Sequence, residues 1–297
     1  MPQPWQAIAQ RFCSLTDCVG LTNVNVNGAT SIVKLDVSGN RALTGIDIST
    51  NKFLSKLDIS DCSITSFKNI ITSSNNRVET LSIGSSSFDS VQIDYTETGI
   101  DLSWFSYIKS FDASYGQISD ADWAVIKAAL PYNLQELHLV GNGASENDTG
   151  LAGEYLTNLD VSKFTGLSVL NIADNESLES LDISNTTSLN FHVNSAHMSG
   201  LTALKTITAV NTYMSFMYFD GLTSLTTINC TGAQVESISI MGCRNIKSID
   251  LTNVSYSATS PTSIMMNIGY TGYTESTFES NVTVTKSANL SIQYLEG

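Results

Sequence analysis

Hydrophobic and polar positions alternate along this chain in short strokes that return at a fixed interval. Ile32-Val33-Lys34-Leu35-Asp36-Val37-Ser38-Gly39-Asn40 is followed by Leu43-Thr44-Gly45-Ile46-Asp47-Ile48-Ser49-Thr50-Asn51. A third stroke, Leu54-Ser55-Lys56-Leu57-Asp58-Ile59-Ser60-Asp61-Cys62, keeps the same spacing. The template is apolar-x-x-Leu-Asp-Ile-Ser-x-Asn, and its anchors Leu35, Ile46 and Leu57 stand 11 residues apart. It returns at Leu159, Leu170, Leu181 and Phe191, and again at Ile207, Met217, Ile228, Ile238 and Ile249, in steps of 10 or 11. Within a stroke Leu35 and Val37 alternate with Asp36 and Ser38, the period of a short strand with one buried and one wet face.

Two strokes make a turn of 21 or 22 residues. Every second anchor gives Leu35, Leu57, Leu81, Phe111, Leu137, Leu159, Leu181, Ile207, Ile228 and Ile249, about ten turns at spacings of 21 to 30. The interleaved anchors Ile46, Phe67, Val91, Leu170, Phe191, Met217 and Ile238 would form the opposite wall. One turn cannot bury its Leu and Ile alone, whereas turns stacked about 4.8 Å apart share a continuous apolar column. The expected fold is a right-handed solenoid, parallel β along its walls with few helices, over residues 21–254. In residues 1–20, Trp5, Ile8, Ala9 and Phe12 have the spacing of an amphipathic helical cap. Residues 255–297 show strand-like alternation at Val282–Thr285 and Leu290–Gln293 and read as a C-terminal cap or a short β-rich addition.

Single positions refine this picture. Asn40, Asn51, Asn142 and Asn175 follow their anchors by five, where an inward amide can satisfy backbone groups at the bend. Cys62 and Cys243 take the same slot. With Cys13, Cys18 and Cys230 they read as five buried thiols, and a Cys13–Cys18 pair in an end cap is the alternative. Ser119-Asp120-Ala121-Asp122, then Trp123, Ile126, Leu130 and Pro131, describe one capped helix of about 12 residues. The long step from Leu81 to Phe111 carries Trp104, Phe105 and Tyr107 without a clear element. Gly141 to Gly153 and Asn194 to Gly200 read as rim loops.

Composition narrows the partners. Charged residues are 14% of the chain, against about 25% usually, and the formal net charge is −14. Such a surface repels phosphate backbones and anionic lipid, so neither nucleic acid nor a membrane surface is an expected partner. No apolar run approaches the roughly 20 residues of a bilayer span, and the first residues lack the basic start and apolar core of a signal peptide.

The Leu-Asp-Ile-Ser-x-Asn strokes, the 21-residue double step and the Ser/Thr-rich fill resemble a leucine-rich-repeat family of secreted and surface proteins from Bacteroides-like bacteria. The resemblance covers roughly residues 21 to 254 and is weakest through the middle. It implies an extracellular or outer-surface protein that binds a protein or a glycan, with no catalytic residues to carry over.

The residues themselves offer little chemistry. The histidines are His138, His192 and His197, with no Glu-x-x-His or third ligand beside them, and no GxSxG elbow, phosphate loop or dinucleotide fingerprint is present. Asp36-x-Ser38-x-Asn40 lacks the glycine and the bidentate Glu of a calcium loop, so neither a metal nor a cofactor is expected. What stands out is a broken outward stripe of Asp36, Asp58, Asp112, Asp160, Asp182 and Asp250, with His138, Thr208 and Asn229 in its gaps. It could form a polar groove for a cationic or hydroxyl-rich ligand, or simply keep a sheet face wet. Tyr218, outward beside Asp220 in a Tyr213–Phe219 aromatic cluster, completes the candidate binding face, unless the cluster is a wider patch of core beneath the insertion at Asn194 to Gly200, the reading the residues favour. The expected function is a monomeric, non-enzymatic extracellular binding module. The alternative is a stalk with plain walls and no ligand of its own.

Overall fold

The computed structural model describes residues 11–74, 76–85, 93–142, 155–189, 195–255 and 263–296. The chain packs as two compact units, Met1–Pro131 and Tyr132–Gly297.

The first unit carries β1 (Phe12–Ser14), β2 (Lys34–Asp36), β3 (Ile46–Asp47), β4 (Lys56–Asp58), β5 (Ile70–Ile71), β6 (Thr80–Ser82) and β7 (Ser110–Asp112). Strands β1, β2, β4, β6 and β7 pair in parallel and in register, setting Cys13, Leu35, Leu57, Leu81 and Phe111 in one file. Strand β3 pairs with β5 on a second wall, Ile46 against Ile70. Phe67, read as the second-wall anchor, stands instead in a short 3-10 helix, Phe67–Asn69, and Ile70 takes its place in the strand. The reason is packing: the Phe67 ring meets Tyr95, Trp104 and Phe105 edge to face, with centroids 5.4, 6.4 and 5.4 Å away. That buried cluster resolves the long step after Leu81, because Trp104 and Phe105 lie on a second 3-10 helix, Ser103–Tyr107. Helix α1 (Asp120–Ala129) forms as its signals require, Ser119 and Asp122 closing a reciprocal capping box and Trp123 and Ile126 facing inward.

The second unit carries β8 (Glu136–His138), β9 (Asn158–Asp160), β10 (Val169–Asn171), β11 (Ser180–Asp182), β12 (Thr206–Thr208), β13 (Phe216–Tyr218) and β14 (Thr227–Asn229). It continues with β15 (Ser237–Ser239), β16 (Ser248–Leu251), β17 (Ser263–Asn267), helix α2 (Glu275–Asn281), β18 (Thr283–Lys286) and β19 (Ser291–Leu295). One wall files Leu159, Leu181, Ile207, Ile228, Ile249 and Val284 through parallel pairs. The other files Met217, Ile238, Met266 and Tyr294. Beyond Val254, where the spacing loses its regularity, both walls therefore gain strands from residues 263–295.

One anchor assignment is corrected. Leu137 does not share a file with Leu159; it pairs with Leu170, and Leu159 pairs with Leu181. The 22 residues from Leu137 to Leu159 thus cross from one wall to the other once, while the 11 from Leu159 to Leu170 cross back. A half-turn enlarged by an insertion has the same length as a full turn, and spacing alone cannot separate them. Most of that insertion, residues 143–154, lies outside the described residues, as do Trp5, Ile8, Ala9, Val91, Phe191 and His192. Within the N-terminal segment read as helical, Phe12 lies on strand β1 and is exposed, and in the second rim loop Ser195–Met198 is a 3-10 helix.

Between the strands the inward slot five residues after each anchor closes the bends. The Asn40 amide donates to the Leu15 carbonyl at 2.6 Å and the Val37 carbonyl at 2.5 Å, and its oxygen accepts from the Cys18 N–H at 3.0 Å. Asn175 donates to Leu139 at 2.8 Å and Ile172 at 2.7 Å and accepts from the Asn142 N–H at 2.9 Å. Each amide ties its own turn to the preceding one. Thr186, Thr212 and Thr271 fill the slot with a hydroxyl that reaches a carbonyl of their own turn only, at 2.6, 2.9 and 2.7 Å. Cys62 and Cys243 fill it with a thiol that donates back one turn, to the Val37 and Phe219 carbonyls at 3.3 and 3.0 Å.

Candidate functional site

The recurrent aspartates have a local purpose. The Asp36 carboxylate accepts from the Ser38 N–H at 3.1 Å and its hydroxyl at 2.7 Å, and Asp58 accepts the same pair from Ser60 at 3.2 and 2.6 Å. Asp160 repeats this with Ser162 at 2.8 and 2.6 Å, and Asn229 with Thr231 at 3.0 and 2.7 Å. Asp112, Asp182 and Asp250 accept the backbone N–H two residues on, at 3.0, 2.9 and 2.9 Å. An oxygen at this position satisfies the N–H freed where the strand turns, which is why Asp or Asn so often stands there, followed two residues on by Ser or Thr in many of the strokes. Among the described residues Lys34 and Lys56, stacked in register beside Asp36 and Asp58, form no ion pair.

The predicted binding residues do not share one face. In the first unit Asp36, Asp58, Ser82 and Asp112 stand in file. In the second, Asp160, Asp182, Thr208, Asn229, Asp250 and Thr285 form a file on the β9–β18 wall. His138 is not in that stripe: it stands beside Asn171 on the β8–β10 pair, a consequence of the half-turn before Leu159. Tyr218 lies on the β13–β19 wall, in register with Ser239, Asn267 and Leu295.

The two long walls of the second unit differ outwardly. The β9–β18 wall presents Asn158, Ser180, Thr206, Thr227, Ser248 and Thr283 before its anchors and the Asp/Thr/Asn file after them. The β13–β19 wall presents Phe216, Ser237, Met265 and Gln293 before its anchors and Tyr218, Ser239, Asn267 and Leu295 after them. Tyr213, Tyr218, Met265, Tyr270 and Leu295 are all exposed on this wall or on the turns entering and leaving it. Phe216 and Tyr218, two residues apart on one face, hold their rings nearly parallel, with an interplanar angle of 9° and centroids 6.2 Å apart.

At the β13 end of this wall is a cleft of about 320 Å³, lined by Met198–Thr202 and Tyr218–Thr223. Bare backbone gives it depth. Gly200 and Gly221 both have positive φ, +73° and +76°; a Cβ at Gly200 would come within 2.6 Å of the Asp174 carboxylate, whereas one at Gly221 would enter open space. On the rim Asp220 accepts through Oδ1 from the Ser239 hydroxyl at 2.5 Å and the Met241 N–H at 2.8 Å. In the first unit a wider, polar groove of about 540 Å³ is lined by residues including Asn25, Asn27, Asp47, Lys68 and Asn69. There Asp47 is held below the usual carboxylate range by hydrogen bonds from the Ser49 hydroxyl, the Ser49 N–H and the Asn27 amide.

The thiols offer a graded set. Cys230 and Cys243 are buried, and burial pushes both up to about 12; Cys62 is half-buried and pushed up to about 11 by the same cause. Cys13 is also half-buried and Cys18 is exposed, which corrects the reading of five buried thiols. All five are free, so Cys13 and Cys18 form no disulfide. Among the described residues no three His, Cys, Asp or Glu side chains converge as a metal site, and no helix is long and apolar enough to cross a membrane.

No family model matches this chain, and no curated protein matches it. Among solved structures, the functional domain of InlJ from Listeria monocytogenes is 18% identical with a TM-score of 0.44, covering 86% of this chain, which spans only 50% of that domain. A leucine-rich repeat protein from Bacteroides ovatus is 13% identical, with a TM-score of 0.22 over 95% of this chain and 79% of its own. One from Leptospira interrogans is 10% identical, with a TM-score of 0.21 over 99% and 100%. The fold is a leucine-rich-repeat solenoid. That statement stands on the in-register files of Leu and Ile within each unit.

Proposed function

We propose that this chain is a non-enzymatic recognition module whose docking face is the β13–β19 wall, and that its partner is a polypeptide. One observation carries the reading: Tyr218, Met265 and Leu295 stand exposed on a single wall, with Tyr213 and Tyr270 on its flanking turns, while its counterpart sets short polar side chains outward. Exposed aromatics and methionine are the side chains that dominate protein interfaces, because each buries much area at little entropic cost. A stalk would have two plain walls; the β9–β18 wall fits that description and the β13–β19 wall does not. The acidic stripe favours this reading less, since it sets only short polar side chains outward and each carboxylate spends one oxygen on its own turn. Placement outside a bacterial cell belongs to the same reading and follows the family resemblance of the repeat.

The test is selection of peptides from a random displayed library on the full chain. Selected peptides should lose binding to a Tyr213→Ser, Tyr218→Ser, Met265→Ser variant and keep it on a Thr206→Lys, Thr208→Lys variant. The opposite pattern, or no selectable peptide, refutes the assignment.

A further inference from the structure

We infer that the cleft at the β13 end of this wall receives a basic side chain, arginine or lysine, of the polypeptide partner. The inference rests on reading the wall as a docking face and adds the chemistry of its anchor point. At about 320 Å³ the cleft lies at the small end of ligand pockets, roughly 300–1,000 Å³, a size for one long side chain rather than an extended oligomer. Its sides are apolar at Met198, Leu201 and Leu222, suited to an alkyl stem, and its rim carries Tyr218 and Asp220.

The carboxylate is set for a cation. Oδ1 of Asp220 is fixed by Ser239 and the Met241 N–H, while among the described residues Oδ2 takes no hydrogen bond. An anchored anion with one open oxygen beside a tyrosine ring meets an ammonium or guanidinium through a charge-assisted hydrogen bond and a cation–π contact together. Among the described residues Asp220 is the only charged one in the lining, and Arg244, at the position of Thr223 one turn on, makes no ion pair with it. The formal charge of −14 steers a basic partner toward the surface. A saccharide is the weaker match: the lining offers hydroxyls and a carboxylate but no amide, imidazole or cationic side chain to donate to ring and glycosidic oxygens.

The experiment is an NMR titration of the full chain labelled at methionine methyls, reading Met198 in the cleft. The probes are N-acetyl-Gly-Arg-Gly-amide, the same peptide with Gln for Arg, and methyl β-glucopyranoside. The arginine peptide should shift the Met198 methyl saturably, and the glutamine peptide should bind at least about tenfold more weakly. Asp220→Asn should cost a similar factor. Gly221→Asn should abolish the response by filling the cleft, and the fold should tolerate it because Asn211 and Asn253 adopt positive φ in this chain, 55° and 58°. No shift with the arginine peptide, an equal response to glutamine, indifference to Asp220→Asn, or a stronger response to the glucoside would each overturn the assignment. Library peptides that need Tyr213 and Met265 but show neither basic enrichment nor sensitivity at Asp220 would remove the cleft and leave the docking wall. An arginine peptide that titrates Met198 when no library peptide depends on the wall would do the reverse.

Discussion

The β9–β18 and β13–β19 walls of the second unit are built alike on the inside and differently on the outside. Inward, each files one large side chain per turn in strict register with the next, Leu, Ile or Met until Val284 ends one file and Tyr294 the other. Outward, the first wall is all short polar side chains, whereas the second mixes Tyr, Phe and Met with Ser and Asn. The inward file fixes the fold, so the outward positions are at liberty, and the proposed docking role rests on that contrast. The aspartates teach the converse. They are the most regular polar feature of the chain, and that regularity follows from the turn they close at the end of the strand.

The largest expected effect tests whether both walls enclose a common core. Ile228→Ala and Met217→Ala, one on each wall and both fully buried, should each cost about 2–5 kcal/mol in urea unfolding. A loss confined to one wall would mean that the two are not cooperatively packed. Next comes the polar wall's turn chemistry: Asp160→Ala removes two hydrogen bonds to Ser162 and should cost about 1–2 kcal/mol, where Asp160→Asn, which keeps the acceptor, should cost less. Equal losses would show that the charge and not the acceptor matters there.

A smaller effect probes the tie between the walls. Glu279 on α2 accepts from Tyr294 of β19 at 2.6 Å and from Lys286 of β18 at 3.2 Å, one partner on each wall. These two contacts, Tyr294 first, lower its carboxyl below the ordinary range. A folded-state pKa below the unfolded one contributes stability that is present above the unfolded value, about 4.3, and is lost as pH falls through the lowered folded value. Glu279→Gln should therefore flatten the acid limb of stability and cost under about 1 kcal/mol at neutral pH, as exposed pairs do. An acid limb unchanged by the substitution would show that other carboxylates set it. Least of all in stability, Tyr218→Ser and Met265→Ser should stay within about 0.5 kcal/mol of the parent while removing peptide binding. Destabilisation in step with lost binding would return these side chains to the core.

Much of this was legible in the residues. The strand strokes, the Asn slot and the Ser119-capped helix follow from patterns whose cause is local: alternation, an amide at a bend, a capping box. Leu137 shows where that stops. Its distance to Leu159 fits a full turn, and only the pairing with Leu170 shows an enlarged half-turn, which in turn separates His138 from the file of Asp160, Asp182 and Asp250. Phe67 failed for a related reason, since its spacing suits an anchor but its ring is more stable against Tyr95, Trp104 and Phe105. Tyr218 beside Asp220 was visible as a pair; the cleft was not, because Met198–Thr202 comes from another turn.

The sequence by itself determined that the chain coils, how many residues each stroke takes, and which side chains turn inward, because these depend on periodicity and on backbone groups satisfied within a turn or the next. The tertiary structure decided which stroke belongs to which wall and what lies across from it. Those facts depend on the parity of wall crossings, which an insertion changes without altering any local pattern.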